Sequence, residues 1–275
     1  MTTIQDDRFE NKRIVITGAG GFLGREGCLF FARRGAQIAA LDKSAAALQE
    51  TFDEVYKQTG SKIALVECDV TDPASVEGAI AQVKLQLGGI DCLWNNAGYQ
   101  GQIKPTLEYD PADFAAVMNI NVTGMFIVLQ AVGKVMAKQE TGGTIVNTAS
   151  VAGIGCTPAM VAYASSKAAV LAMTVSSAKD LAPFHIRVNA VSPALIGPGF
   201  MWTRQNELHA KSGSPYFDTD PDVVAQNKIA KVPMKRLGSS EEVVKTVAFL
   251  LSDDSSYTTA ANLTVDGGMS GGLKA

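Results

Sequence analysis

"TGAGGFLG", residues 17–24, follows the apolar run "RIVI" and precedes "REGCLFFARRG". Gly18, Gly21 and Gly24 recur at steps of three between a stretch with strand character and one with helical periodicity. Glycine tolerates positive φ and lets a backbone or a ligand come close. A helix that starts directly after such a turn offers unpaired N–H groups and a partial positive charge, which together suit a pyrophosphate. Tight strand–helix packing alone also uses glycines in this way, so the turn needs support from the rest of the chain. The second strand supplies it. Asp42 stands 18 residues past Gly24, where a carboxylate accepts both ribose hydroxyls of an adenosine and repels a 2′-phosphate. Lys43 follows and attracts such a phosphate, but the ribose-facing Asp42 favours NAD over NADP.

Outward from the turn, short apolar runs alternate with longer segments of helical period. The strand candidates are 13–17, 36–41, 62–67, 90–94, 143–149, 186–192 and 261–265. Segments 44–59, 73–87, 110–138, 159–182 and 239–252 carry apolar residues at three- and four-residue steps and read as amphipathic helices. This alternation predicts one α/β domain over residues 1–275, with a doubly wound, seven-stranded parallel sheet. One stretch, 193–236, breaks the rhythm with Gly, Pro and polar residues and reads as an insert that shapes a pocket.

A chain of 275 residues, 47% hydrophobic and with a mean hydropathy of +0.11, buries a substantial core in one such domain. The net charge of −3 comes from 24 basic and 27 acidic residues mixed along the chain, a balance without the footprint of nucleic-acid or anionic-membrane binding. The start lacks the apolar core of a secretory signal, and the expected location is the cytoplasm. Cys28, Cys68, Cys92 and Cys156 lie far apart without metal-ligand spacing and read as reduced thiols.

A second constellation lies in "YASSK", where Tyr163 and Lys167 stand at i and i+4 on one helix face. A phenol with a pKa of roughly 10 is a poor base near neutrality unless an ammonium stabilises its phenolate, and Lys167 is spaced to do so. The strand 143–149 ends in "NTASVAG", so Ser150 emerges at the carboxyl edge of the sheet, where ligands of such folds bind. Its hydroxyl suits a carbonyl oxygen.

Together with "CDVTD" at 68–72, "NNAG" at 95–98 and thirteen residues between serine and tyrosine, these motifs resemble the short-chain dehydrogenase/reductase family over essentially the whole chain. The resemblance implies a Rossmann-like nicotinamide-dependent oxidoreductase. Tyr163 would transfer the proton and Ser150 would hold the substrate oxygen. Lys167 would bind the nicotinamide ribose and lower the tyrosine pKa. Asn121, in "NINVTGMF", would help hold a water in a proton relay. The cofactor-binding set implied is Gly18, Gly21, Phe22, Leu23, Gly24, Asp42, Asp69, Val70, Asn96, Ala97, Gly98, Tyr163, Lys167, Pro193 and Ile196.

The chain departs from the short-form pattern in two places. Phe22 stands where TGxxxGxG has its middle glycine, so the spacing fits the TGxxGxxG of extended members. In "PALIGPG", Pro193 and Ala194 lead to no threonine for the carboxamide, and the backbone of Ile196 is the substitute. More narrowly, "NNAGYQG" and the insert resemble bacterial NAD-dependent xylitol dehydrogenases of this family. That points to polyol oxidation, with small-molecule alcohol and ketone partners and, by family, a homotetramer in which helices 110–138 and 159–182 pair. Gln100, Gln102, Asn147, Cys156 and Trp202 are the substrate-pocket candidates, although loop glutamines are often merely solvated and Trp202, with Phe200 and Met201, could equally pin the insert.

Two other functions compete. A reductase of 3-oxoacyl thioesters on a carrier protein, or of cyclic ketones, needs a different pocket. For the carrier, a basic docking patch is required, and Lys228, Lys231, Lys235 and Arg236 are blunted by Asp218, Asp220 and Asp222. A non-catalytic NAD sensor is the other, and Asn121, Ser150, Tyr163 and Lys167 together argue against it. His185 and His209 lack partners at metal-ligand spacing, and no metal is expected.

Overall fold

The computed structural model describes residues 8–271. Its elements follow in chain order: β1 (Arg13–Thr17), α1 (Phe22–Ala32), β2 (Gln37–Asp42), α2 (Ala45–Thr59), β3 (Ala64–Glu67), α3 (Pro73–Leu87), β4 (Cys92–Asn95), α4 (Pro111–Met118) and α5 (Met125–Met136). Then come β5 (Gly143–Thr148), α6 (Ala152–Gly155), α7 (Val161–Leu181), β6 (Ile186–Pro193), α8 (Phe200–Ala210), α9 (Pro221–Ala230), α10 (Ser240–Leu251) and β7 (Asn262–Val265). All seven strands are parallel, in the order β3-β2-β1-β4-β5-β6-β7. The chain winds one way from β1 to β3 and the other way from β4 onward. The reversal between β1 and β4 opens a crevice at the carboxyl ends of the strands.

Alternate residues of each strand feed two cores. Ile14, Ile16, Ile38, Ala40 and Trp94 face α1, α2 and α10, where Phe31, Leu48, Val55 and Val247 meet them. Val15, Ala39, Leu41, Leu93 and Ile145 face α3 and α5, through Ile80, Val83, Val128 and Val132. Burial on both faces explains why the strands read as apolar runs rather than as alternating ones. Several helices begin at polar caps: Ser44, Asp72, Asp110 and Asp220 each accept a backbone N–H, and Ser239 with Glu242 forms a capping box.

Segment 110–138 is not one helix. A six-residue π turn, Asn119–Gly124, separates α4 from α5. Apolar periodicity does not distinguish i→i+4 from i→i+5 pairing, and the wider turn carries Asn121 inward. Pro111–Met136 is the one candidate, among the described residues, long and apolar enough to cross a membrane by length and composition; its Val128, Leu129, Val132 and Met136 pack into the second core. The stretch 193–236 holds two helices, α8 and α9. Cys28, Cys68 and Cys92 are buried, and burial pushes their thiols up to about 12, about 11 and about 12.

Candidate active site

The glycine turn joins β1 to α1. Gly18 has φ +65, and Gly21 N–H donates to its carbonyl at 3.1 Å. A Cβ at Gly24 would lie 2.2 Å from the Gly18 carbonyl oxygen, so only glycine lets α1 begin this close to the turn. Unlike α2, α3 and α4, α1 has no side-chain cap, and its first residues are Phe22 and Leu23. At the end of β2, Asp42 Oδ2 accepts the Gly20 N–H at 3.1 Å and Oδ1 accepts that of Ser44 at 3.0 Å. The Asp42 carboxylate thus stands over the turn. Asp69 accepts the Thr71 N–H and hydroxyl at 2.9 and 2.7 Å, bonds that hold its carboxyl below the usual range, and Val70 packs where a side chain on Gly124 would sit.

Between these walls runs Asn96–Gly98, stitched to β1 by Thr17. The buried Thr17 hydroxyl accepts from Asn96 N and Ala97 N at 2.9 and 3.0 Å, and Asn96 Nδ2 donates to the Thr17 carbonyl at 3.2 Å. Asn96 Oδ1 in turn accepts the Thr148 hydroxyl at 3.1 Å. Further along, Gly98 lies beside two catalytic candidates, since a Cβ there would be 3.3 Å from Asn121 Oδ1 and 3.6 Å from Lys167 Nζ.

The catalytic candidates converge on the same edge of the sheet. Ser150 follows β5; its hydroxyl accepts the Ala152 N–H at 3.1 Å, donates to the Pro193 carbonyl at 3.4 Å and lies near the Tyr163 phenol. Tyr163 sits in the first turn of α7, and Lys167 one turn later places Nζ 5.6 Å from the centre of the phenol ring. Lys167 is buried and donates to the Thr148 carbonyl at 2.7 Å. Burial lowers its pKa from 10.5 to about 8. Burial also raises the Tyr163 pKa, with the Ser150 hydrogen bond pulling the other way. One of the three ammonium donors of Lys167 is used on the Thr148 carbonyl, and desolvation of the phenol acts against the lowering expected of Lys167.

Asn121 is fully buried in the π turn. Its Oδ1 accepts the Tyr99 N–H at 2.7 Å, while Nδ2 donates to the Tyr99 carbonyl at 2.8 Å and to Ser166 Oγ at 3.0 Å. Ser166 then donates to the Tyr163 carbonyl at 2.8 Å. The Asn121 side chain thus braces the loop after "NNAG" against α7. On the far side, Leu195 O and Gly197 N bond to Gly238, so the backbone amide of Ile196 takes no part in that bridge.

The five substrate candidates do not share one environment. Gln100 is 9% exposed, and its Nε2 is buried without a hydrogen-bond partner among the described residues. Gln102 is exposed and bonds through its backbone N–H to Asp113 Oδ2 at 2.8 Å. Asn147 is corrected to a core residue: it is fully buried in β5, donates to Thr174 Oγ1 at 3.0 Å and accepts from Asn95 at 3.3 Å, which leaves no freedom to turn toward a ligand. Cys156 is exposed after α6, at φ +49, rather than enclosed as a pocket wall. Trp202, in α8, takes Lys228 Nζ 5.4 Å from its ring.

Thr17, Thr148, Ser166 and Asp113 were not singled out in the sequence. Asp113 binds the hydroxyls of Tyr99 and Tyr109 at 3.1 and 2.6 Å and fixes the loop that holds Gln100. The first two follow a readable signal, a threonine at the end of a buried strand. The other two have none apart from their neighbours.

The family model described as Enoyl-(Acyl carrier protein) reductase matches residues 21–270. The chain belongs to the short-chain dehydrogenase/reductase family. This dehydrogenase/reductase is 35% identical to a levodione reductase of Leifsonia aquatica over 270 residues, 98% of each chain. It is 36% identical to a 3-oxoacyl-(acyl-carrier-protein) reductase of Thermotoga maritima, covering 95% of this chain and 99% of that one. Among solved structures, an NAD+-bound xylitol dehydrogenase aligns with a TM-score of 0.92 at 50% identity, over 94% of this chain and 99% of the other.

Proposed function

We propose that the protein is an NAD-dependent dehydrogenase interconverting a secondary alcohol, a polyol such as xylitol, with its ketone. The observation that carries the substrate class is Gln100. A buried amide donor without a partner costs about 1–3 kcal/mol, and a turn of the Gln100 side chain that brings Nε2 onto a substrate hydroxyl offsets that cost whereas an apolar alcohol does not. The 50% identity to a solved xylitol dehydrogenase points the same way.

The cofactor reading rests on the glycine cradle, which a Cβ at Gly24 would close, and on Asp42 above it. Gly18, Gly21, Leu23 and Gly24 would hold the pyrophosphate, Asp42 the adenosine ribose, and Asp69, Val70 and Asn96–Gly98 the rest of that wall. Lys167 would hold the nicotinamide ribose, with Pro193 and Ile196 beside the carboxamide. Bound there, NAD supplies the acceptor for the hydride that leaves the alcohol carbon.

Ser150 donates a hydrogen bond to the substrate oxygen and fixes it beside the phenol. Tyr163 takes the hydroxyl proton in oxidation and returns it in reduction. Asn121 keeps Tyr99 and α7 in register. Because burial holds the Tyr163 proton more tightly than usual, oxidation should speed up as pH rises and reduction should slow.

Carrier-protein thioesters fit less well, since two of the cations a docking patch needs are engaged within the chain. Lys228 turns inward to Asn206 at 2.8 Å, and Arg236 is paired with Glu242 at 2.8 Å. The intact Asn121, Ser150, Tyr163 and Lys167 set weighs against a sensor without turnover. The assembly we propose is a homotetramer, with the exposed faces of α5 and α7, Phe126 and Val175 among them, meeting partner copies.

Gln100→Leu tests the substrate reading. It should lower kcat/KM for polyols roughly tenfold or more while leaving that for apolar secondary alcohols within about threefold. An equal loss on both classes contradicts it.

A further inference from the structure

Phe22 occupies the position of the glycine turn where short-form relatives carry glycine, and its side chain belongs to neither core. It is the first residue of α1, 45% exposed, while the next residue, Leu23, packs inward. Across the mouth of the crevice, the Phe22 ring faces Gly199: a Cβ built on Gly199 would lie 3.7 and 3.8 Å from ring atoms Cε2 and Cζ. Gly199 has φ +153, a conformation that side-chain-bearing residues rarely adopt, and it is the N-cap residue of α8. Its carbonyl accepts the Thr203 N–H at 3.1 Å, which starts the helix. The ring therefore stands opposite the backbone from which the inserted helices set out, within reach of the face a Gly199 side chain would occupy.

Beyond that point α8 and α9 are tied to each other. Lys228 of α9 donates to Asn206 Oδ1 of α8 at 2.8 Å, stands 3.0 Å from His209 Nδ1 and lies over the Trp202 ring. His209 is buried and packs at a tilt against Phe217, ring centres 4.2 Å apart, in the loop between the two helices. These contacts tie the two helices to each other. The base beneath Phe22 is rigid, because the Gly18–Gly24 packing admits no added atom. Phe200 and Met201, 77% and 45% exposed, extend the apolar lip along the first turn of α8.

We propose that Phe22 is a clasp: its ring holds the two-helix insert against the glycine turn, closes the pyrophosphate end of the crevice and slows release of the dinucleotide. This rests on the cofactor reading above. A glycine at position 22 would remove the ring that faces Gly199 and open a path between turn and insert. Phe22 is a positioning residue, acting through Gly199 and α8 rather than on the reacting atoms.

The test uses the full chain loaded with NADH, chased with excess NAD in a stopped-flow fluorimeter, for the parent, Phe22→Gly, Phe22→Ala and Phe22→Leu. Phe22→Gly and Phe22→Ala should release NADH roughly tenfold faster, with KM for NAD rising in step, and Phe22→Leu should stay within about threefold of the parent. Amide hydrogen exchange over residues 199–210 of the NADH-bound protein should quicken in the same order. Release within twofold of the parent in both small variants overturns the clasp, as does faster release with unchanged exchange in 199–210. NADH binding by the parent stands apart as the check on the cofactor reading, and its failure overturns both.

Discussion

Lys167→Met isolates the buried ammonium on which the catalytic arrangement turns. Lys167 is 2% exposed, its one hydrogen bond runs to the Thr148 carbonyl, and its pKa is held at about 8 against the ordinary 10.5. A difference of about 2.5 units at 1.36 kcal/mol each amounts to roughly 3 kcal/mol. The folded state binds this proton less tightly than the unfolded chain does. Below pH about 8 both states are protonated and the cost of burying the charge is fully present. Between about 8 and 10.5 the folded protein sheds the proton first, so its stability rises with pH across that window. Methionine fills a similar volume and carries no proton. The difference in unfolding free energy between parent and variant should therefore move by roughly 2 kcal/mol in the parent's favour from about pH 7 to about pH 9.5. Urea unfolding of both proteins at the two pH values measures it, since other titrations cancel in the difference. A pH-independent difference, or a shift of opposite sign, refutes the argument.

Tyr163→Phe should lower kcat by roughly a thousandfold or more while the dissociation constant for NADH changes less than about threefold, because only the transferable proton is deleted; steady-state rates and fluorescence titration read the two quantities. Asp42→Ser should move the ratio of kcat/KM for NAD over NADP toward NADP by roughly tenfold or more, through lost ribose hydrogen bonds and removed repulsion of a phosphate. Equal use of both cofactors by the parent would count against the role given to Asp42.

The doubly wound sheet was legible because its strands are buried on both faces and so stand out as apolar runs between helical periods. The glycine turn, Asp42, Ser150 and the Tyr163–Lys167 pair were legible because each occupies the end of a strand or one helix face. What the sequence hid depends on geometry of another kind. The π turn at Asn119–Gly124 changes hydrogen-bond pairing without changing apolar spacing. Asn147 reads as a polar residue near a site, yet the alternation along β5 turns it into the core, where Thr174 and Asn95 satisfy it. Desolvation of the partly buried Tyr163 and the buried Lys167 opposes the simple pairing expected of a phenol beside an ammonium. Phe22 reads as a local irregularity of the turn, and only its position opposite Gly199, far along the chain, suggests the role proposed for it.

The most direct measurement is kcat/KM at saturating NAD for xylitol and other polyols, beside apolar secondary alcohols, with 3-oxoacyl thioesters measured in the reverse direction with NADH. The account predicts that polyols lead, that the product is the matching ketose, and that Tyr163→Phe abolishes the signal. Polyols ranking last of the three classes, in a protein that binds NAD, would contradict it.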